Sequence, residues 1–369
     1  GVGNSKNEIA GTLKETINGG IQTGQAAVVE VILRNNSSTK KTVTLGVAAS
    51  KNNIVLASNM SLVPKTVLGE RKINTNAASY ITKLYSTTKK KTVTNNSITY
   101  NTSQSQLLMN DRKGSSATDI NAGNIRYYGA SPDNYVYFNC SDNSNHTSST
   151  CEVWRIIGVF GNNVKLIKSE NICELGWDSS NDEINRGFGV NEWSRANLKE
   201  FLNTMYYGGT DVVCYGGRGQ EEGECPTEKL NDTAKSMIDY YTWNTGAVDY
   251  AKTSDTVAFY NAERGTAIGK DSGDDDIERT TTWTGYVALP YVTDWAYASS
   301  TDGCETNMQQ KGSNFDFICK DNNWMHYGTA MSDSWMLSPF AISGEPYNAW
   351  MISYTGSVGG EYVFAPGIV

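Results

Sequence analysis

From residue 25 to about residue 100 the chain alternates apolar and polar positions. In AAVVEVILRNNSSTKKTVTLGVAAS, Val29, Val31 and Leu33 fall on one side of an extended backbone. A polar turn follows, and Val43, Leu45 and Val47 fall on one side again. This is the period-two pattern of a β-hairpin. The runs IVLA, SYITKLY and TVTNNSITY extend it, with Asn- and Ser-rich turns between them. Lys89, Lys90 and Lys91 stand together at one such turn, a placement that keeps an exposed edge strand from pairing with a neighbour. Residues 1–24 have no clear partner and read as an arm or linker.

Such a succession predicts a small β-sandwich of immunoglobulin-like type over residues 25–105, followed by a polar linker over 106–123 and a second domain over 124–369. In the second domain the texture changes, and all nine Trp lie beyond residue 150. Two stretches carry a helical period. In SRANLKEFLNTMYY, Ser194 can cap the start while Leu198, Phe201, Leu202 and Met205 form one apolar stripe. In EKLNDTAKSMIDYY, Leu230, Ala234, Met237, Ile238 and Tyr241 do the same. Around them YVYFNC, CEVWRIIGVF, NVKLIKS, NAWMISYT and GEYVF read as short strands between Gly-, Asp- and Asn-rich loops. The second domain is therefore expected to be α+β, and the whole chain mainly β.

Composition sharpens this picture. Charged residues make up 19% and apolar ones 38%, a polar, weakly charged balance closer to surface and secreted proteins than to cytosolic enzymes. No apolar run approaches the roughly 18 residues a membrane span needs. The chain opens without Met or a signal peptide and reads as a mature or excised piece. Charge is unevenly placed: residues 1–110 carry 11 Lys and 2 Arg against 4 Glu, a net +9, while the remainder carries −17. Two unrelated surfaces explain that asymmetry, and so does head-to-tail attraction between copies. The acidic domain would repel phosphate, which argues against nucleic acid as a partner.

Seven cysteines form three close couples, Cys140/Cys151, Cys214/Cys225 and Cys304/Cys319, with Cys173 left over. With no CxxC and only two His, a zinc site is not indicated. The couples are expected to be loop-stapling disulfides, which places the chain in an extracellular, oxidising setting at a cell surface. Cys173 is expected to be a buried thiol.

The second domain also resembles a known group of proteins. NIRYYGASPDNYVYFN, EVWRIIGVF, NEWSRANLKEFLN, FYNAERG, RTTTWTGYVALPYVTDWAYAS and WMLSPF follow one another from residue 124 to 340. In order and spacing they are similar to a large family of Firmicutes surface domains, and more distantly to the C-type-lectin-like fold in the branch of formylglycine-generating enzymes and retroelement variable proteins. The resemblance implies a disulfide-stapled, C-type-lectin-like α+β domain. It also implies a closing strand that FAPGIV begins and does not finish. An open C-terminal stretch over 362–369, with Tyr362, Phe364, Ile368 and Val369, is then expected to accept a strand from another copy. The strands bearing Val29, Val31, Leu33, Val43, Leu45 and Val47 are the candidate donors.

Catalytic chemistry is scarcely signalled. His146 lies in a loop between two cysteines and His326 beside aromatic residues, and neither sits in a nucleophile–base pattern. Asp271, Asp274, Asp275, Asp276 and Glu278 share one loop whose oxygens suit calcium, although without EF-hand spacing, and solvated acidic loops are common. Calcium is the only cofactor these residues suggest. Trp177, Trp193, Trp243, Trp283, Trp295, Trp324, Trp335 and Trp350 are expected to be mainly core, with one or two lining a sugar-stacking surface. Asn-x-Ser/Thr sequons occur at Asn35, Asn36, Asn59, Asn95, Asn101, Asn139, Asn145 and Asn231, as an Asn-, Ser- and Thr-rich composition produces by itself.

The leading expectation is thus a non-enzymatic subunit of a bacterial surface filament, a head-to-tail homopolymer with no membrane segment of its own. The alternative is an anchored or monomeric adhesin that takes a glycan or host protein. An enzyme of the formylglycine-generating type comes third.

Overall fold

The computed structural model describes residues 9–13, 31–35, 77–87, 90–93, 98–101, 107–111, 123–179, 189–216, 225–269, 277–312, 316–328, 333–341 and 346–369. About 28% strand and 24% helix make the chain mixed α/β rather than mainly β. It divides into two compact units, Gly1–Asn76 and Ala77–Val369.

In the first unit β1 (Ile9–Leu13) pairs antiparallel with β2 (Val31–Asn35), with Gly11 opposite Leu33 and Leu13 opposite Val31. The expected partner of Val31 and Leu33 was the 42–48 strand. The stretch read as an arm or linker supplies one partner, within the same chain, while the 42–48 stretch lies outside the described residues. Val29, Val43, Leu45 and Val47 lie outside the described residues.

The second unit begins much earlier than its sequence texture suggested. SYITKLY, read as a strand, is part of α1 (Ala77–Thr87). Its residues fit both periods, but the helical one aligns Ala78, Ile81 and Tyr85 on one buried side, leaving Tyr80 and Lys83 outside. Residues 77–105, assigned to the sandwich, therefore belong to the second unit.

A seven-stranded sheet follows: β3 (Lys90–Val93), β4 (Ile98–Asn101), β5 (Leu108–Asn110), β6 (Ile125–Tyr127), β7 (Tyr135–Phe138), β8 (Glu152–Phe160) and β9 (Asn163–Lys168). β8 is its hub. β6 and β7 pair with its two halves on one side, and β9 runs along the other. The stretch expected to be a linker contributes β5, whose Leu108 and Met109 are buried.

β10 (Glu174–Gly176) starts a second sheet. α2 (Asn197–Glu200) runs on into a π-helical stretch, Phe201–Tyr207, and buries Leu198, Phe201, Leu202 and Met205 as expected. The other expected helix shrinks to α3 (Asp232–Lys235), capped by Asn231, whose Oδ1 accepts from Ala234 N–H at 2.9 Å. Its intended last turn is taken up by β11 (Tyr241–Asn244), and Met237 is left 61% exposed. Then come α4 (Thr256–Glu263), β12 (Thr282–Gly285), α5 (Val292–Tyr297), α6 (Trp324–Gly328), β13 (Ser334–Pro339), β14 (Asn348–Ile352), β15 (Val358–Tyr362) and β16 (Pro366–Ile368). The second sheet has the order β10-β16-β13-β14-β15, and β11 pairs with β12.

Indole rings knit these layers together. Trp177, Trp193, Trp295, Trp324, Trp335 and Trp350 are all fully buried. Four of their N–H groups donate to backbone carbonyls far away in sequence: Trp177 to Met336 O (3.1 Å), Trp324 to Tyr127 O (2.8 Å), Trp335 to Leu175 O (3.0 Å) and Trp350 to Val248 O (3.1 Å). Each of these four rings thus buries a large apolar area without stranding its donor.

Candidate functional site

The expected assembly groove is the first surface to consider, and it is already filled. β16 lies between β10 and β13, with Ile368 opposite Glu174 on one side and Ser334 on the other. Val369 continues the pairing, since its N–H donates to Cys173 O at 3.0 Å and its carbonyl accepts from Ile172 N–H at 2.8 Å. The expectation of an open stretch at 362–369 is therefore corrected: Tyr362 pairs with Asn348 in β15 and Pro366–Ile368 forms the slot-filling strand itself.

The two edges of that sheet are also blocked. On the β10 side, Gly176 N–H donates to Tyr215 O at 2.8 Å, from the loop that Cys214 and Cys225 close. On the β15 side, Val358 O accepts from the Gln309 side chain, Tyr362 N–H meets the Glu361 carboxylate at 3.0 Å, and Tyr362 O accepts from Ala365 N–H at 2.8 Å. A short edge with several of its polar groups engaged and a charge on it resists strand addition. Tyr362 is 45% exposed and its ring stacks on Phe364 at 5.3 Å.

A different surface stands out on the β11–β12 ribbon. Thr242 pairs with Thr284 and Trp243 with Trp283, so side chains alternate between two faces. The core-side face holds Trp243 and Trp283, both half-buried, and Trp243 Nε1 donates to Gly285 O at 3.1 Å. Trp283 lies so close over Gly285 that a Cβ there would sit 2.0 Å from the ring. The outer face holds Thr242 and Thr284, whose hydroxyls are 3.1 Å apart, flanked by Tyr240 and Tyr286. Tyr240 is 64% exposed, and its ring leans on Tyr286 at 4.9 Å. Tyr207, from the end of the π-helical stretch, stacks on Tyr286 at 3.9 Å and 9°.

Asn203 fixes this arrangement. Its Oδ1 accepts from Tyr286 and Val287 N–H at 3.0 and 3.1 Å, and its Nδ2 donates to Val287 O at 2.8 Å and to Lys199 O at 3.0 Å. One side chain therefore ties the helix bearing Tyr207 to the strand end bearing Tyr286.

Beneath the ribbon lies a buried ionic network. Arg126 donates through Nε to Asp111 Oδ2 (2.6 Å) and through Nη1 to Asp294 Oδ1 (2.7 Å), and Lys165 bonds the other oxygen of Asp294. Asp294 also accepts from Tyr291 N–H at 3.0 Å, capping α5. Lys165 is boxed by the rings of Tyr291, Trp243 and Phe160 at 4.3, 5.2 and 5.7 Å. Arg264 pairs with Glu263 at 2.9 Å and lies over the Tyr260 ring at 3.5 Å. Burial pushes the Asp294 carboxyl up, but Lys165 and Arg126 outweigh it and hold the group far below the usual range. Burial likewise pulls Lys165 down, against the pull of Asp294, and pushes Glu263 up. Three cations and three carboxylates balance, and each carboxylate has a cationic partner within the protein. The network gives Trp243 and the ribbon a rigid floor.

The remaining candidates are dispersed. Cys140–Cys151, Cys214–Cys225 and Cys304–Cys319 are disulfides, which place the chain in an oxidising, extracytoplasmic environment. Burial pushes the half-buried Cys173 thiol up to about 12. His146 is exposed and His326 buried. Asp271, Asp274, Asp275 and Asp276 lie outside the described residues, and Glu278 is exposed. Among the described residues no group of three or more His, Cys, Asp or Glu is placed to hold a metal ion, and no helix is long and apolar enough to cross a membrane. Asn139 and Asn231 spend their amides on internal bonds, to Glu152 at 2.6 Å and to Cys140 O at 2.8 Å.

No family model, curated protein or solved structure matches this chain.

Proposed function

We propose that the chain is an extracellular structural protein, a subunit that assembles head-to-tail with copies of itself into a bacterial surface filament and displays its larger unit outwards. On this reading the first unit is immunoglobulin-like and the second C-type-lectin-like. The observation that carries it is charge segregation along the observed division. Residues 1–76 hold 9 basic and 4 acidic side chains, a net +5, whereas residues 77–369 carry −13 of the total −8. Opposite net charges on two units of one chain attract between copies, and a heterologous contact that does not close propagates. Because the slot and edges of the second sheet are engaged, charge rather than strand insertion at 366–369 drives the contact.

Electron microscopy and sedimentation of the 1–369 chain at low and high salt test this. Filaments that shorten as salt rises are expected, since exposed charges are screened over roughly 10 Å at 0.1 M. Single particles at every salt concentration would overturn it. The second reading, a surface adhesin acting as a monomer, is favoured by the exposed Tyr and Thr face of the ribbon. It predicts single particles that retain ligand binding.

A further inference from the structure

We infer that the outer face of the β11–β12 ribbon is a binding site for a neutral glycan, formed by Tyr240, Thr242, Thr284 and Tyr286 with Tyr207 as a buttress. The inference does not depend on assembly, because every one of these residues belongs to the second unit.

The chemistry of the face points to sugar. All five side chains carry a hydroxyl and none carries a charge. Tyr286 is stacked against Tyr207 and touched by the tilted ring of Tyr240. The free area therefore belongs mainly to Tyr240, a rigid aromatic plane open to water. Such a plane suits the apolar C–H face of a pyranose ring, to which an aromatic contributes large area at low entropic cost. Beside it the Thr242 and Thr284 hydroxyls lie 3.1 Å apart and bond one another. One O–H of such a pair remains free to donate, and both oxygens keep lone pairs. The pair thus offers one donor and acceptors at the spacing of two adjacent sugar hydroxyls.

Charge selects among glycans. The second unit carries −13, and Asp239, exposed, directly precedes Tyr240. That field repels uronic and sialic acids and sulfated chains, while a carboxylate at the rim accepts readily from neutral sugar hydroxyls. The site is also pre-built. Asn203 holds both supporting segments, and Lys165 and Trp243 floor the ribbon, so little ordering is left to offset binding.

Affinity electrophoresis of the full chain through gels containing neutral or acidic polysaccharides tests the inference, at a salt concentration where it runs as single particles. Retardation by at least one neutral polysaccharide is expected, with weaker or no retardation by acidic ones. Tyr240→Ala should weaken it at least tenfold, and Thr242→Val with Thr284→Val, which keeps shape and removes both hydroxyls, at least threefold. Tyr240 is largely exposed, so its variant should keep the parent circular dichroism and melting temperature. Three outcomes would overturn the inference. They are no retardation by any neutral polysaccharide, tighter binding to acidic ones, and retardation that Tyr240→Ala leaves unchanged. Binding of a protein-coated surface that depends on Tyr240, without glycan binding, would reassign the face to a protein partner.

Discussion

Val369 and Cys173 are joined through their backbones, the Val369 N–H donating to the Cys173 carbonyl at 3.0 Å. The last described residue thereby pairs with the backbone at a half-buried cysteine almost two hundred positions earlier, and both side chains pack against the same apolar cluster. With the thiol pushed up to about 12, roughly a thousandfold fewer thiolates are present than for an ordinary cysteine at the same pH. Native protein at pH 8 should react very slowly with a thiol reagent. Deleting Pro366–Val369 should raise that rate by two orders of magnitude or more while the three disulfides stay closed. Equal rates in the two proteins would mean that β16 does not occupy its slot in solution.

Asp294→Asn keeps the shape of the side chain and removes the charge that Lys165 and Arg126 share. Two buried cations are left with one carboxylate, at Asp111, for a cost of about 3–5 kcal/mol. Urea unfolding should show a lower midpoint at an unchanged slope. A loss below ~1 kcal/mol would place water in the network.

His326 sets a pH dependence. Trp295 Nε1–H donates to its Nδ1 at 3.4 Å, and its Nε2 lies 3.2 Å from Tyr354 O, so the ring is neutral with Nδ1 accepting. Burial, the largest cause, lowers its pKa. The unfolded chain takes up a proton near pH 6.5 that the folded one refuses. Stability is therefore full above about 6.5 and falls as the pH drops below it, by at most ~1.4 kcal/mol per pH unit. Urea midpoints between pH 7.5 and 5 should show this slope, and His326→Gln should flatten it.

Gly158 tests the hub strand. A Cβ there would lie 2.3 Å from the Ile125 carbonyl oxygen, and a backbone in a ladder cannot swing away as a side chain can. Gly158→Ala should cost about 1–3 kcal/mol and lower the Tm. A neutral substitution would show that β6 and β8 are less closely joined than described.

The sequence carried some of this plainly and hid the rest for physical reasons. Cysteine spacing marked all three disulfides, and the stripe from Leu198 to Met205 marked α2, because both signals are local. SYITKLY went astray because its apolar residues satisfy two periods at once, and only burial against the sheet chooses between them. β5 hid in a polar stretch because three residues are too few to show a period. The Arg126–Asp294 pair spans 168 positions, beyond any pattern within a window. The ribbon did leave a trace. YYTWN and TTWTGY both place Thr beside Trp, the mark of two strands burying Trp on one face and presenting Thr on the other. Reading the first as a helix end and giving the second no element missed it.

The order of strands in the second sheet also fixes an order of events during synthesis. β10 waits at residue 174 for a neighbour that begins at 366, so the sheet cannot close until residue 368 has emerged. The disulfides span only 11, 11 and 15 residues and can form by local encounter as each segment appears. A nascent chain crossing into an oxidising compartment would therefore be covalently pinned in three places well before its largest apolar surfaces find cover, and that interval is when it most needs a chaperone.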